Sequence, residues 1–140
     1  MGTVRAEIAI DAPPEAVWAV LCDMSAWGDW NDVIVDGRAE GREGGRVSCS
    51  VAVTGPLWFP VRSRAITWSE SEGIVWGEDR GRILRIFHGF ELHPAGGGTR
   101  VVHYESFEGA IGRLVYPLVK RPLTRNYTTF LESLKDRVEA

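Results

Sequence analysis

The 140-residue chain has only two cysteines, Cys22 and Cys49, and neither has a neighbouring Cys or His at a spacing that suits zinc or a disulfide framework. Both read as buried thiols. Long hydrophobic runs are also missing: the longest, residues 16–22, falls far short of the ~20 residues needed to cross a bilayer, and Arg5 with Glu7 interrupts any secretory leader. A cytoplasmic location is the expectation. There is no glycine-rich phosphate loop, nucleophile elbow, HExxH segment or pair of catalytic carboxylates, which excludes nucleotide-dependent, serine-hydrolase and zincin chemistry. No cofactor and no metal is implied. Charge of one sign is scarce as well, with sixteen Lys and Arg against nineteen Asp and Glu for a net −3. The basic residues are spread along the chain, so a nucleic-acid partner is not expected. Internal repeats and low-complexity linkers are absent.

What is present is ordinary globular composition, 44% hydrophobic and 25% charged, at a length that suits one domain over residues 1–140. Residues 3–10 alternate, with Val4, Ala6, Ile8 and Ile10 on one side and Arg5 and Glu7 on the other, which predicts a strand with one wet face. Asp11 is a candidate cap for a short helix starting at Pro13-Pro14, and Ser25 for a second one stopped by Gly28. Glycine-punctuated strands follow at about 32–40, 45–54, 61–71, 74–80, 83–93 and 98–109, a spacing that suggests an antiparallel meander. Leu123, Tyr127, Phe130, Leu131, Leu134 and Val138 then recur at helical intervals, so a long amphipathic helix closes the chain. Pro117 and Pro122 predict a break or kink at its start. The fold class is α+β, an antiparallel sheet curled over one long helix.

Five segments, in this order, give the chain a family resemblance: residues 10–18 (IDAPPEAVW), Trp27-x-x-Trp30-Asn31, Trp76-Gly77, residues 88–92 (HGFEL), and residues 98–109 from Gly98-Thr99-Arg100 to Glu108-Gly109. Together they span nearly the whole chain, which resembles the START-like or helix-grip (SRPBCC) superfamily and within it the polyketide cyclase/dehydrase-like branch. The resemblance implies a helix-grip fold: a curved seven-stranded antiparallel sheet around the C-terminal helix, two short helices between strands one and two, and a cavity for lipids, polyketides or other apolar molecules. It carries over no universal catalytic residue.

A hairpin turning on Pro94-Ala95-Gly96-Gly97 sets His93 opposite Gly98, and hence His88 opposite His103, Ile86 opposite Glu105, Leu84 opposite Phe107 and Phe90 opposite Val101. One face then holds Leu84, Ile86, His88, Phe90, Val101, His103, Glu105 and Phe107, and the other holds Arg85, Glu91, His93, Arg100, Val102 and Tyr104 as the wet side. His88, His103 and Glu105 on an inward face suit acid/base work or the orientation of a ligand's hydroxyl or carbonyl group, and a self-satisfied polar core cluster accounts for them equally simply. The resemblance brings Trp30 and Trp76 near the cavity, with plain packing as the alternative. Trp58 and Phe59, between Pro56 and Pro60, are read as loop residues guarding an opening, and Trp18 as packing. With Tyr127 and Leu131 from the helix stripe, the ligand-binding candidates are Trp30, Trp76, Ile86, His88, Phe90, His103, Glu105, Phe107, Tyr127 and Leu131. The catalytic candidates, if there is a reaction, are His88, His103 and Glu105. Cys49 reads as unreactive, and Lys120, Arg121 and Arg125 as a solvated helix face.

The leading expectation is a binding domain for an apolar or amphipathic small molecule such as a lipid or polyketide. A polyketide aromatase/cyclase-like enzyme using the cavity His and Glu residues is one alternative. The other is a protein-partner regulator resembling the heat-shock-protein activators of the same superfamily, with an exposed apolar patch and a collapsed interior. Homodimerisation is left open by the sequence.

Overall fold

The computed structural model describes residues 2–140. Strand β1 (Gly2–Ile10) leads to helix α1 (Pro14–Leu21) and a 3-10 helix over Met24–Asp29. Six strands follow: β2 (Ile34–Ala39), β3 (Arg46–Thr54), β4 (Leu57–Ser69), β5 (Gly73–Asp79), β6 (Arg85–Ala95) and β7 (Gly98–Glu108). Helix α2 (Gly109–Glu139) closes the chain. The strands form one seven-stranded antiparallel sheet in the order β1-β7-β6-β5-β4-β3-β2, so every connection is a hairpin except the one from β1 to β2, which carries the two short helices. This is the helix-grip architecture, and its core is the concave face of the sheet closed by α2.

The inner face follows the period-two pattern of each strand. Val4, Ile10, Val47, Cys49, Val51, Val53, Ile74, Trp76, Phe90 and Val101 are all buried. Leu123, Tyr127, Phe130, Leu131 and Leu134 of α2 meet them at helical spacing. Hydrogen bonds lock both ends of the helix. Ala110 N–H and Ile111 N–H donate to the carbonyls of Arg82 and Ile83 (both 2.9 Å), Asn126 Nδ2 donates to the Ala52 and Val53 carbonyls, and Lys135 Nζ donates to the Ala9 carbonyl.

Several local expectations are corrected. The first helix has Pro13 at its N-cap and no side-chain cap; with prolines at 13 and 14 the opening turn has few free amides, and those of Ala16 and Val17 reach the Pro13 carbonyl. The Asp11 amide donates instead to Glu139 (2.8 Å). The 3-10 helix starts from Asp23, whose carboxylate accepts the Ser25 hydroxyl, so Ser25 is not a cap. Trp58 and Phe59 lie in β4 rather than in a loop: the turn at Gly55-Pro56 returns the chain at Leu57, and Pro60 is tolerated because β5 pairs with β4 only from Arg64 onward, which leaves that edge of residues 57–63 free. Helix α2 runs unbroken through Pro117 and Pro122. The carbonyls those prolines leave without a helical donor belong to Arg113 and Leu118, both on exposed residues where water can serve. Cys22 is half-buried, not buried.

The β6–β7 register also differs by two residues. Gly96 and Gly97 both have positive φ, at 57° and 87°, and make a two-residue turn of the kind whose twist matches a hairpin, so Ala95 pairs with Gly98. His88 therefore faces Glu105 and not His103, Phe90 faces His103 and not Val101, and Ile86 faces Phe107 and not Glu105. A two-residue shift keeps every side chain on its own face, so the inward set is unchanged while its pairs are exchanged. On the outer face Val102 is buried and not wet, and the Tyr104 ring lies over Gly89, where a Cβ would meet it at 2.4 Å.

Candidate functional site

Between the sheet and the first half of α2 lies an open pocket of about 340 Å³. Its walls are apolar: Val51 of β3, Phe59 and Val61 of β4, Trp76 of β5, Ile86 and Phe107 of the last hairpin, and Ile111, Val115, Val119 and Leu123 of α2. Arg62, Ser63 and Glu78 also border it, and its remaining polar groups are His88 and Glu105. These two sit directly opposite each other on β6 and β7, at the level where the pocket gives way to solid core.

Behind them the polar side chains form a buried chain. His88 Nε2 and His103 Nε2 are 2.6 Å apart, so one of them donates a proton to the other. His88 Nδ1 faces Glu105 Oε1 at 3.8 Å, and the Tyr127 hydroxyl donates to that same oxygen. His88 stacks flat on the Trp76 indole (4.4 Å between centroids), and His103 is sandwiched between Phe90 and Tyr127 (4.1 Å to each). Both imidazoles are thus set in rotation by aromatic faces as well as by hydrogen bonds. His103 Nδ1 is buried without a hydrogen-bond partner.

Burial dominates the electrostatics. It holds the His88 imidazole down at about 3, and it pushes His103 well below its usual range, with His88 adding to the effect and the Tyr127 backbone opposing it. Both rings are neutral at physiological pH. The Glu105 carboxyl is pushed up to about 7 by burial, an effect partly offset by the Tyr127 hydroxyl, which favours the charged form. Tyr127 itself is driven well above its ordinary value by burial and by Glu105. Cys49 is pushed up to about 12 by burial and then by the Glu105 charge. Within this cluster the group poised to gain or lose a proton near neutrality is therefore Glu105, which also keeps 15% of its side chain accessible.

Of the ten ligand-binding candidates, Trp76, Ile86, His88, Glu105 and Phe107 line the pocket. His103 and Tyr127 lie behind that lining and touch it through His88 and Glu105. Trp30, Phe90 and Leu131 belong to the packed end, where Trp27 is the centre of a cluster with Trp30, Phe90 and Phe130. Phe59, expected to guard an opening, borders the pocket, whereas Val51, Val61, Ile111, Val115 and Val119 line it without having been among the site candidates. A signal for Val115 and Val119 was present, since both extend the helical spacing of Leu123 backwards across the prolines. Among the described residues no group of three or more His, Cys, Asp or Glu side chains is placed to hold a metal ion.

The sequence pattern of the family described as polyketide cyclase/dehydrase and lipid transport matches residues 1–139. The chain belongs to that family. Its fold recurs in a Thermus thermophilus protein of 24% identity (TM-score 0.76, covering 98% of this chain and 97% of that one). It recurs also in a START superfamily protein from Mycobacterium smegmatis (18%, TM-score 0.74, 98% and 97%). The Zhui aromatase/cyclase from a Streptomyces species is similar to the same degree (18%, TM-score 0.74, 99% and 93%). No protein of curated function is significantly similar in sequence. For a polyketide cyclase/dehydrase and lipid transport family member, the concave sheet and α2 are the shared frame, and this chain's own residues put His88 and Glu105 at the pocket floor with Tyr127 behind them.

Proposed function

We propose that the protein binds an apolar or amphipathic small molecule in the pocket under the first half of α2, with Glu105 and His88 orienting a hydroxyl or carbonyl group at its inner end. The supporting observation is the contrast between apolar walls from five strands and one helix and a single polar pair at the floor, the pattern by which small-molecule sites combine burial with a few orienting contacts. Family membership supports the same reading. No helix among the described residues is long and apolar enough to cross a membrane.

The test is native mass spectrometry of protein purified from its own host, followed by organic extraction. A defined lipid, quinone or polyketide-like compound near one per chain is the expected result. An empty chain that also gains no thermal stability from a panel of apolar ligands would remove the reading. An open pocket of this size counts against the protein-partner reading, which calls for a collapsed interior. The second reading, a cyclase-like enzyme, is favoured by one specific observation: a carboxyl group with a proton affinity near neutrality on the wall of the pocket.

A further inference from the structure

The exposed apolar side chains are gathered on one face. Among the described residues eight large apolar side chains are exposed, and all except Ile66 lie in three segments that border the pocket mouth: residues 57–59 of β4, Ile83 between β5 and β6, and Ile111, Leu114 and Leu118 of α2. Phe59 and Ile111 line the pocket themselves, Ile83 precedes the lining residue Leu84, and Leu114 and Leu118 precede Val115 and Val119. Two sets of hydrogen bonds tie α2 to its neighbours here: the Ala110 and Ile111 amides donate to the Arg82 and Ile83 carbonyls, and Asn126 Nδ2 donates to those of Ala52 and Val53. Apolar side chains scattered over a surface need no explanation, but a rim of them around an opening marks an interaction surface.

Charge is segregated onto the same segments. Residues 51–69, 80–86 and 109–131 hold nine of the sixteen Lys and Arg residues and none of the nineteen Asp and Glu, in a chain whose net charge is −3. Of the acidic residues that flank them, Glu78, Asp79 and Glu108 pair with Arg80 and Arg85. Arg62, Arg82, Arg113, Lys120, Arg121 and Arg125 are exposed and make no ion pair among the described residues. Along α2, Ile111, Leu114, Leu118, Arg121 and Arg125 recur at intervals of three and four, so the stripe beside the pocket wall starts apolar and ends basic.

We propose that this face docks on the surface of an anionic lipid bilayer, with Leu57, Phe59, Ile83, Leu114 and Leu118 entering the boundary between headgroups and acyl chains and the unpaired basic side chains lying against the headgroups. Apolar tips ringed by long basic side chains are the combination that holds a protein at such a surface. A second copy of the chain does not fit, because a two-fold contact on this face would set nine basic residues against the same nine. An acidic protein would answer the charge, but the apolar tips stand on three separate segments around an opening, and a bilayer accepts such tips without a matching shape. The attachment is peripheral, since no helix among the described residues is long and apolar enough to span. Docking sets the open pocket against the bilayer, so an apolar guest passes between them without entering water, where each exposed CH₂ costs roughly a fourfold factor in partitioning. That passage rests on the binding reading; the docking itself does not.

The test is flotation of the full chain with vesicles of phosphatidylcholine, with and without about one-third phosphatidylglycerol. Expected are binding at least about tenfold tighter to the anionic vesicles and a steep loss when salt is raised from about 0.1 M to 0.5 M. The double variants Leu114→Ser/Leu118→Ser and Lys120→Glu/Arg121→Glu should each weaken binding by about tenfold or more while melting like the parent, because all four side chains are exposed. Ile66→Ser, about 23 Å along β4 from Phe59, and Arg5→Glu on β1 should change it by less than about twofold. Equal binding to both kinds of vesicle, no binding to either, or equal losses in the rim and control variants would overturn the proposal. Absence of vesicle binding together with NMR shifts at residues 111–121 on adding polyglutamate would assign the face to an acidic protein instead. The two readings fail separately: vesicle binding by a protein whose pocket takes no apolar ligand upholds the docking and removes the binding reading, and an occupied pocket in a protein that ignores vesicles does the reverse.

Discussion

Burying one carboxyl group beside two imidazoles gives the fold opposing pH dependences. Glu105 is raised from 4.5 to about 7, so its share of stability is complete below about 4.5 and is lost as pH rises through about 7. His88 and His103 are lowered, so their share is complete above about 6.5 and is lost as pH falls, for His88 through about 3. Replacing Glu105 by Gln keeps an acceptor for Tyr127 and removes only the titration. The variant should therefore gain stability relative to the parent between pH 4.5 and 7, by up to about 3 kcal/mol, and the difference should level off above that. Thermal melts of both proteins across pH 4–8 measure it, and a constant offset would contradict the assignment. The cysteines give a second check: Cys49 is buried and its thiol is pushed up to about 12, whereas Cys22 is half-exposed. A thiol reagent at pH 8 should label Cys22 in the native protein and Cys49 only on unfolding, as peptide mass mapping would report. At this scale the sequence disclosed which side chains share the inner face, because alternation along β6 and β7 is a local property. It did not disclose that Tyr127 and Glu105 bond to each other, since that contact joins residues 22 apart across the sheet–helix interface.

Turns and prolines decided where elements begin and end, and here local chemistry was read less well than periodicity. Alternation and the 3.6-residue period located all seven strands and both helices. The two-residue Gly96-Gly97 turn was mistaken for a longer one because Pro94 suggested a loop, yet Pro94 is a strand residue paired with Thr99. Pro117 is a sharper case. It sits exposed inside a continuous helix, and its ring leaves the Arg113 carbonyl without a helical donor. Pro117→Ala should restore that bond and stabilise the protein by about 1–2 kcal/mol, after allowance for the greater freedom of the unfolded chain. Gly109 is the opposite case, because the passage from β7 into α2 needs its φ of 82° and a Cβ there would lie 2.8 Å from the Ile83 carbonyl carbon and oxygen. Gly109→Ala should cost about 1–3 kcal/mol in urea unfolding. A neutral outcome would mean that the β7–α2 junction relaxes without that conformation.

Over the whole molecule the helix divides into an anchored half and a covering half. From Leu123 to Leu134 five side chains are 3% exposed or less, and they meet the Trp27, Phe90 and Phe130 cluster. From Gly109 to Pro122 only Gly112 and Val119 are buried, Leu114 and Leu118 are more than 70% exposed, and the inward residues face the pocket instead of core. The sequence showed the anchored half plainly, as an unbroken stripe, and showed the covering half chiefly as an interruption by two prolines. A pocket is a place where packing is withheld, and no side-chain period records that. Stability should follow the same division, because protection of a helix amide depends on how much buried contact must be given up to expose it. In native-state hydrogen exchange, amides of residues 111–119 should therefore exchange faster than those of residues 126–136, although both lie in one helix. A guest in the pocket adds contacts only to the covering half, so it should slow exchange at residues 111–119 and leave residues 126–136 nearly unchanged. Equal protection along α2, or equal slowing along it on addition of a guest, would show that the helix moves as one rigid body and that the pocket opens by another route.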